Sequence, residues 1–353
     1  MDRVLVAMSG GVDSSVAAAR LVAEGYEVVG ATLHLWDYPD DGTVAGRCCA
    51  PEDVHDAGRV AAQLGIPHYA FDRRQLFRER VVDPFVSAYL AGETPSPCVH
   101  CNRQIKIAEL EQIAQHLGAG VVATGHYARI VECGGRLELH RGIDRSKDQS
   151  YFLHTQLGAK LGQLRFPLGD CTKAEIRAEA AKLGLFGAEK GESQELCFVP
   201  TGRYDTFVTE RASGRIRPGV VVDEQGRPLG PHNGIHQFTV GQRRNLGISA
   251  GHRVYVTDID AETGQVTVGE RSALMRRHAR LEDMVVDSDV SLPIDVTCAI
   301  RYRGELHAAH VAQEGGAYWV HFATEVAAVV TGQFAVFYLG NRVVGGGRIV
   351  ASA

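Results

Sequence analysis

The sequence predicts an α/β protein. A doubly wound parallel sheet is followed by a small β-rich central domain and a C-terminal β-barrel. Up to about Pro200, short apolar strands alternate with amphipathic helices, which is the pattern of a parallel sheet with right-handed crossovers. From about Thr201, glycine and proline become frequent and alternating apolar runs replace the helical ones. The chain of 353 residues is also too long for one typical core, so several domains are expected.

The parallel domain is predicted to begin as strand, helix, strand, helix, strand. In chain order these elements are RVLVAM, SSVAAARLVAEG, EVVGATLHLW, PEDVHDAGRVAAQLG and PHYAFD. Gly25 ends the first helix, and Pro51 lies in the first turn of the second, where a missing N–H is tolerated. Two further helices, LFRERVVDPFVSAYLAG and NRQIKIAELEQIAQHLGAG, precede a strand that runs into a loop, VVATGHYARIV. Thr172 and Glu175 have the spacing of a capping box at the start of a later helix.

The β-rich part divides into two modules. The central module contains the runs HQFTVGQ, HRVYVTDID and GQVTVGE, and the barrel contains ARLEDMVVD, PIDVTCAIRYRG, AAHVAQEGGAYWVHFAT and GNRVVGGGRIVAS. Turn signals between these runs are typical of antiparallel β-structure. We therefore predict domains at residues 1–200, 201–276 and 277–353, with the second boundary near RSALMRRHAR.

Composition narrows the class of protein. The most apolar stretch, residues 326–339, is interrupted by polar residues and glycine and is predicted as strand, turn, strand rather than a membrane span. The N-terminus shows no secretory signal pattern, so a soluble, cytoplasmic protein is expected.

Eight cysteines in such a chain favour reactive or metal-binding roles over a disulfide framework. We expect Cys133, Cys171 and Cys298 to be small buried hydrophobic residues. The net charge of −5 neither indicates nor excludes a nucleic-acid partner.

The stretch MSGGVDSS, Met8 to Ser15, lies between the first strand and the first helix. Its paired glycines let backbone N–H groups point at an anion, and the helix adds the positive end of its dipole. It has neither a GK[ST] ending nor a G-x-G-x-x-G pattern, so it is not a Walker A loop or a dinucleotide fingerprint. Asp13 next to a phosphate requires a bridging cation, for which Mg²⁺ is the natural choice. The stretch resembles the pyrophosphatase loop of N-type ATP enzymes, which form AMP and pyrophosphate while adenylating an oxygen.

The stretch TPSPCVHCN places Cys98 and Cys101 two residues apart. This spacing occurs in metal clips, redox pairs and catalytic centres alike, so it does not decide the function. A structural zinc site is not expected, because no fourth ligand at a suitable spacing is evident. Cys197 in SQELCFVP provides a third thiol, far away in sequence.

Eight motifs in order narrow the function further: GRCCAPEDVHDA, TPSPCVHCNRQIK, ATGHYAR, KDQSYFL, FPLGDCTKAEIR, SQELCFVP, HQFTVGQRRNLGI and RYRGE. Together they resemble the tRNA-specific 2-thiouridylases over nearly the whole chain. The resemblance implies an adenine nucleotide alpha hydrolase-like ATP domain, ATP and Mg²⁺ as cofactors, and replacement of O2 of the wobble uridine by sulfur. It also implies two kinds of partner: tRNAs with Lys, Glu and Gln anticodons, and a cysteine desulfurase or sulfur-carrier protein.

The same resemblance assigns roles to the cysteines. It makes Cys101 the nucleophile or resolving thiol and Cys197 the carrier of a persulfide, with a Cys101–Cys197 disulfide left after turnover. Because Cys101 is predicted to open a helix, we expect the helix dipole to lower its pKa. Some family members carry Asp where this chain has Cys98, which leaves any acid/base role there open. Cys98, Cys101 and Cys197 are also three thiols able to hold an iron–sulfur cluster, which remains an alternative to the persulfide relay.

The family's binding residues carry over onto matching positions. The resemblance implies ATP contacts at Ala7, Met8, Ser9, Gly10, Gly11, Val12, Asp13, Ser14, Leu33 and Gly125. It implies tRNA contacts at Ser96, Pro97, Cys98, Lys147, Asp148, Gln149, Arg301 and Tyr302. The target base must leave its stack to reach such a site. For Cys48 and Cys49, structural packing is the expectation.

Two other functions are compatible with part of the sequence. A small-molecule adenylating ligase on the same fold explains the loop but leaves the cysteines and the barrel without a role. An RNA-binding protein with an inactive ATP domain conflicts with the intact Ser9, Asp13 and Ser14.

Overall fold

The computed structural model of the chain describes residues 2–37, 51–189, 196–199, 202–212 and 214–353, except for the side chains of residues 51 and 52. The chain forms two compact units. The first comprises Met1–Val81, Cys98–Gly202 and Gly340–Val344, and the second comprises Val82–Pro97, Arg203–Leu339 and Gly345–Ala353. Among the helices described, none combines the length and the apolar character that a bilayer crossing requires.

The α-helices of the described residues are mostly short. In chain order they are α1 (Val12–Ala23), α2 (Pro51–Leu64), α3 (Arg74–Phe77), α4 (Asp83–Leu90), α5 (Pro97–Cys101), α6 (Ile107–His116), α7 (Ser150–Leu153), α8 (Lys173–Lys182) and α9 (Tyr204–Arg211). Two π-helical turns, Arg78–Val82 and Asn102–Lys106, join α3 to α4 and α5 to α6.

The strands fall into a parallel set and an antiparallel-rich set. In chain order they are β1 (Arg3–Ala7), β2 (Glu27–His34), β3 (His68–Asp72), β4 (Val121–Ala123), β5 (Ala128–Cys133), β6 (Arg136–Arg141), β7 (Leu164–Arg165), β8 (Gly219–Asp223), β9 (Pro228–His232), β10 (Tyr255–Asp260), β11 (Gln265–Gly269), β12 (Met275–Val286), β13 (Ile294–Ala299), β14 (Leu306–Glu314), β15 (Ala317–Ala327), β16 (Phe334–Leu339) and β17 (Arg342–Ser352).

The first unit is built on a parallel sheet with strand order β3-β2-β1-β4-β7. In the central pair, Val4 lies opposite Val28 and Leu5 opposite Val29. These strands are continuous apolar runs because helices cover both faces of the sheet. One buried cluster joins β1 to α2 and a second joins α1 to α8. The predicted doubly wound parallel sheet is thus confirmed.

The strand order reverses at β1, which lies between β2 and β4. In open parallel sheets, ligands bind beyond the carboxyl ends of the strands at such a switch point. Here the carboxyl end of β1 leads into the predicted phosphate loop, and β4 leads into residues 124–126. The fold therefore places the two predicted nucleotide-binding segments at one crevice of one sheet.

The second unit contains a four-stranded sheet of order β10-β11-β8-β9 and a β-barrel. The barrel strands follow one another as β12, β15, β14, β13, β16 and β17, and pairing of β12 with β17 closes it. Both predicted β modules are therefore present. The run HQFTVGQ forms no strand, however: residues 235–237 make a short 3₁₀ turn, and Phe238 packs into the small core beneath the four-stranded sheet.

Helix boundaries differ from the sequence prediction in one place that matters for the site. The helix expected to begin at Asn102 begins at Pro97, so that Cys101 lies in its second turn. Proline suits the first position of a helix because its absent N–H is not needed there. The capping box at Thr172 and Glu175 is present, with the Glu175 N–H donating to Thr172 Oγ1 at 3.3 Å and the Thr172 N–H donating to Glu175 Oε2 at 2.7 Å.

Candidate functional site

Serine hydroxyl groups form hydrogen bonds across the loop between β1 and α1. Ser14 Oγ accepts a hydrogen bond from the Ser9 N–H at 3.1 Å and donates to the Gly11 carbonyl at 2.9 Å. Ser15 Oγ donates to the same carbonyl at 3.0 Å. The helix begins at Val12, and the N–H groups of its first turn have no partner within the helix. Together with the helix dipole, these groups form an anion-binding end.

Two glycines fit tightly around this loop. Gly10 has a φ of +69°, and a Cβ there would lie 2.4 Å from the Asp53 carbonyl oxygen. A Cβ on Gly125 would lie 3.0 Å from the Asp13 carbonyl carbon and from the Ser14 nitrogen. Gly125, at the end of β4, therefore packs its backbone directly against the first turn of α1.

Asp13 has partners that the sequence did not reveal. Lys173 Nζ lies 2.7 Å from Asp13 Oδ1 and 2.8 Å from Oδ2, and Tyr127 Oη donates to Oδ1 at 2.7 Å. The Lys173 side chain is 12% exposed, so this ion pair is partly shielded from water. The expectation that Mg²⁺ must neutralise Asp13 does not fit this arrangement, because the Lys173 ammonium already does so.

The segment of residues 144–149, which includes residues 147–149 of the KDQS motif and which we call the KDQS loop, is held by contacts with residues 127, 141 and 142. The buried Asp148 carboxylate accepts from Arg141 Nε at 2.6 Å and from the Gly142 N–H at 3.1 Å. Gln149 Oε1 accepts from the Tyr127 N–H at 2.9 Å, and the Gln149 N–H donates to the Tyr127 carbonyl at 2.9 Å. Two of the three predicted tRNA-contact residues here therefore also shape the loop itself.

Cys101 is buried at the end of α5, immediately before a π-helical turn. Burial raises its pKa to about 11, and the neighbouring Cys98 adds to this effect. The Lys106 ammonium and a hydrogen bond from the Lys106 N–H act in the opposite direction. The predicted lowering of the Cys101 pKa is wrong, because the thiol lies in the second helical turn and is shielded from water.

Lys106 also acts on two neighbours of Cys101. Burial raises the pKa of the partly exposed Cys98, and the Lys106 charge opposes that rise. Burial, with the Lys106 charge as a second cause, lowers the pKa of His126 to about 3. His126 is therefore a neutral imidazole near neutral pH, and its Nδ1 is 2.7 Å from Thr124 Oγ1.

Cys197 lies half-buried in a tight turn, in which the Val199 N–H donates to the Leu196 carbonyl at 3.1 Å. Its neighbour Phe198 is 2% exposed and packs edge-on against Phe77 and Trp36, with ring centroids 5.6 and 6.2 Å apart. Trp36 follows β2 and Phe77 ends α3. This aromatic trio fixes the Cys197 turn near the carboxyl edge of the parallel sheet.

The helical segment of residues 74–81 adjoins both cysteine-bearing segments. Phe77 packs on Phe198, next to Cys197. Three residues further on, Arg80 Nη1 donates to the Gln104 carbonyl at 3.5 Å, within the π turn that follows Cys101. Arg73, just before α3, donates to Glu109 in α6 at 2.6 Å. One short helix thus lies beside the carriers of both thiols.

Across the described residues, no group of three or more His, Cys, Asp or Glu side chains is arranged to hold a metal ion. All three thiols of the alternative cluster, at positions 98, 101 and 197, belong to those residues. As placed here, they do not form a cluster-binding set.

Comparison with known proteins places the chain in a family. Models described as tRNA methyl transferase HUP domain, tRNA methyl transferase PRC-barrel domain and Aminomethyltransferase beta-barrel domain match residues 2–201, 205–270 and 277–349. The tRNA-specific 2-thiouridylase MnmA of Sorangium cellulosum is 57% identical over 356 residues, which cover 99% of this chain and 92% of that protein. The chain belongs to the tRNA-specific 2-thiouridylase family.

A second 2-thiouridylase, from Beijerinckia indica, is 45% identical over 373 residues and covers 100% of this chain and 85% of that protein. The words methyl transferase in two model descriptions differ from the relatives' names. The family follows from the relatives, whose identity extends over 99% and 100% of the chain. Among solved structures, a 4-thiouridine synthetase–RNA complex with bound ATP matches 61% of this chain and 51% of that chain at 16% identity, with a TM-score of 0.35. That likeness is too weak to support an argument.

The remaining residues predicted for this 2-thiouridylase occupy varied environments. Leu33, near the carboxyl end of β2, is 7% exposed, and so is Ser96. Pro97 is buried at the first position of α5. Arg301 is exposed and Tyr302 half-buried in the turn between β13 and β14, a hairpin of the barrel.

The cysteines outside the site differ from one another. Cys298 is fully buried, as predicted, whereas Cys133 is exposed. Cys171 is half-buried and accepts from Arg20 Nη2 at 3.2 Å. The prediction of buried hydrophobic cysteines was therefore wrong for Cys133, whereas Cys171 packs partly buried against the α1–α8 cluster. Cys48 and Cys49 lie outside the described residues.

Sequence reasoning missed Lys106, Tyr127 and Lys173. Tyr127 and Lys173 do occur in the quoted motifs ATGHYAR and FPLGDCTKAEIR. Nothing in one sequence reveals that both side chains reach the same carboxylate across more than a hundred residues. Lys106 stands one turn beyond Cys101 on a helical pattern, which was the only signal for it.

Proposed function

We propose that this protein, a tRNA 2-thiouridylase and therefore a tRNA sulfurtransferase, adenylates O2 of the wobble uridine with ATP and then replaces that oxygen with sulfur. The products are 2-thiouridine, AMP and pyrophosphate. The observation that carries the proposal is the arrangement of the first unit. The phosphate loop lies at the switch point of the sheet, and one helix adjoins the carriers of Cys101 and Cys197. Family membership supports the substrate class.

In the first step, O2 of uracil attacks the α-phosphorus of ATP. Pyrophosphate leaves with the electron pair of the broken P–O bond. Backbone N–H groups of residues 10–14, at the N-terminal end of α1, receive the phosphates, and Gly125 closes the loop from the other side. In this proposal the Leu33 backbone contacts the adenine. The C2 oxygen, a poor leaving group before this step, becomes part of AMP.

In the second step, the terminal sulfur of a Cys197 persulfide attacks C2, and AMP leaves with the C2–O electron pair. The Cys101 thiolate then attacks Sγ of Cys197. The S–S bond breaks, its electron pair stays with the sulfur on C2, and a Cys101–Cys197 disulfide remains. An external dithiol restores the two thiols, and a cysteine desulfurase or sulfur-carrier protein reloads Cys197.

The charges around Cys101 suit this order of events. A pKa raised to about 11 keeps Cys101 protonated, and therefore unreactive, until the Cys197 persulfide has attacked C2. Loss of its proton is favoured by the Lys106 ammonium. Cys101 is thus held as a thiol until a change at the site frees its proton.

We propose that tRNA, with Lys, Glu and Gln anticodons as the expected subset, is bound in the cytoplasm through three segments. These are residues 96–98, the KDQS loop and the Arg301–Tyr302 turn. The exposed position of Arg301 on a hairpin turn supports a phosphate contact there. We derive no step through Mg²⁺ or an iron–sulfur cluster, because the side chains at Asp13 and at the thiols do not fit either group.

Substitution of the two thiols tests the relay. C197S and C101S should abolish 2-thiouridine formation while tRNA-dependent release of pyrophosphate from ATP continues. C133S, which changes an exposed cysteine outside the site, is the matched control and should retain both activities. Thiolated nucleoside is measured by mass spectrometry of digested tRNA, and pyrophosphate by a coupled assay. Full thiolation by C197S would refute the proposal.

A further inference from the structure

Tyr127 and Lys173 share an arrangement that their sequence positions do not suggest. The side chain of each residue binds Asp13, the acidic member of the phosphate loop, with contacts of 2.7 Å from Tyr127 Oη and from Lys173 Nζ. The backbone of each residue binds the KDQS loop. Tyr127 exchanges two hydrogen bonds with Gln149, and the Lys173 N–H donates to Asp144 Oδ2 at 3.0 Å.

The contacts reach both ends of the KDQS loop. At its start, Asp144 also accepts from the Ser146 N–H at 3.0 Å, and its carbonyl accepts from the Lys147 N–H at 3.0 Å. At its end, Gln149 is fixed to Tyr127. The loop therefore has one anchor on each side, and both anchors extend to one carboxylate.

The side chains of Tyr127 and Lys173 have little access to water that could replace Asp13 as their partner. The Lys173 side chain is 12% exposed and Tyr127 is 3% exposed, so neither can exchange Asp13 for bulk water without moving. A shielded charge that loses its partner is strongly destabilised, so loss of the Asp13 charge should displace Lys173. Because Lys173 is the first residue of α8, its displacement pulls on the N–H that holds Asp144.

We infer that Tyr127 and Lys173 are positioning residues that couple the phosphate loop to the KDQS loop through Asp13. A ligand that changes the partners of Asp13 then changes the order of residues 144–149, and a ligand on residues 144–149 acts on Asp13 in return. The inference rests on the proposed function only for the names of those ligands, ATP and tRNA. Through this coupling, tRNA bound at residues 144–149 changes the partners of Asp13 in the phosphate loop, where ATP is used for adenylation.

Hydrogen exchange of the nucleotide-free full chain tests the coupling without relying on any activity. D13N keeps the size of the side chain and removes its charge. It should speed exchange of the amides of Ser146, Lys147 and Gln149 by at least threefold. D72N removes the charge from a different ion pair, with Arg74, and should leave these amides unchanged. Equal exchange in D13N and the wild type would overturn the inference.

A milder variant covers the case in which D13N does not fold. Y127F deletes only the hydroxyl that reaches Asp13 and keeps both backbone bonds to Gln149. A non-hydrolysable ATP analogue should slow exchange of the same three amides at least threefold in the wild type and less than half as much in Y127F. Y69F, which removes an exposed hydroxyl, is the matched control and should respond like the wild type.

An equal response of Y127F and the wild type to the analogue contradicts the coupling. Failure of the wild type to thiolate tRNA contradicts the proposed function instead, and leaves the nucleotide-free comparison of D13N with the wild type valid. The two ideas therefore fail separately.

Discussion

At the scale of single residues, Cys101 shows how burial and charge compete. A thiol shielded from water resists ionisation, and burial raises the pKa of Cys101 to about 11. Lys106 stands one helical turn away and favours the thiolate. A thiol with pKa near 11 is ionised to only about one part in a thousand at pH 8, so small changes in its surroundings change its reactivity by large factors.

Removal of the Lys106 charge should therefore make Cys101 less reactive. In K106M we expect a further rise of the Cys101 pKa and a fall of roughly tenfold in its rate of alkylation by iodoacetamide at pH 8. The rate is measured by mass spectrometry of the Cys101 peptide. K182M, which changes an exposed lysine at the end of α8, is the control. An unchanged or faster reaction in K106M would show that Lys106 does not favour the thiolate.

At the scale of elements, the site depends on close contact between segments that are distant in sequence. Just after β4, the backbone of Gly125 packs against the first turn of α1, where a Cβ has no room. Phe198, next to Cys197, packs on Phe77 at the end of α3 and on Trp36, which follows β2. Substitution of Gly125 should disturb ATP binding and spare sulfur transfer. Substitution of Phe198 should disturb sulfur transfer and spare the ATP-dependent step.

A methyl group at Gly125 should disturb the phosphate loop. In G125A, the new Cβ lies 3.0 Å from backbone atoms of Asp13 and Ser14, so the first turn of α1 must shift. We expect ATP affinity to fall about tenfold, which corresponds to about 1.4 kcal/mol. The measurement is isothermal titration with a non-hydrolysable ATP analogue. G120A is the matched control: it lies just before β4 and has open space around it, so its affinity should equal that of the wild type.

A smaller side chain at Phe198 should disturb the Cys197 turn instead. F198L keeps an apolar side chain but loses the edge-on contacts with Phe77 and Trp36, each worth about 0.5–1.5 kcal/mol beyond area. We expect 2-thiouridine formation to slow several-fold while pyrophosphate release per tRNA stays close to wild type. F334L, at a buried phenylalanine of the barrel, controls for lost core volume. A parallel fall of both activities in F198L would contradict a specific role in sulfur transfer.

At the scale of the whole molecule, periodicity was enough to predict a parallel α/β sheet followed by two β-rich modules. Apolar runs such as RVLVA and EVVGATLH identify buried parallel strands, and the β1-loop-α1 unit contains the predicted phosphate site. The local sequence pattern did not predict the features of the structure that depend on tertiary contacts. VVATGHYARIV contributes to two different structures, β4 of the parallel sheet and β5 of a hairpin. The π turn after Cys101 and the Lys173–Asp13 pair depend on packing that no spacing encodes.

Buried neutral histidines predict how the stability of the first unit depends on pH. Burial lowers the pKa of His126 to about 3 and that of His154 to about 4, whereas an unfolded histidine titrates near 6.5. Below about pH 6.5 the unfolded chain therefore binds protons that the folded chain does not. Its free energy of unfolding should fall as the pH drops from 6.5 towards 4, and these histidines should have no such effect above pH 7.5.

Each such histidine should contribute about 1 kcal/mol of this loss between pH 7.5 and 5.5. The measurement is urea unfolding followed by Trp36 fluorescence in a W319F background, since Trp36 belongs to the first unit. H154Q removes one buried titrating group and should reduce the pH dependence by that amount, although it also lowers stability at every pH. H116Q, at an exposed histidine, should keep the full dependence. An undiminished dependence in H154Q would mean that His154 is protonated in the folded protein, and would contradict the effect of burial described for it.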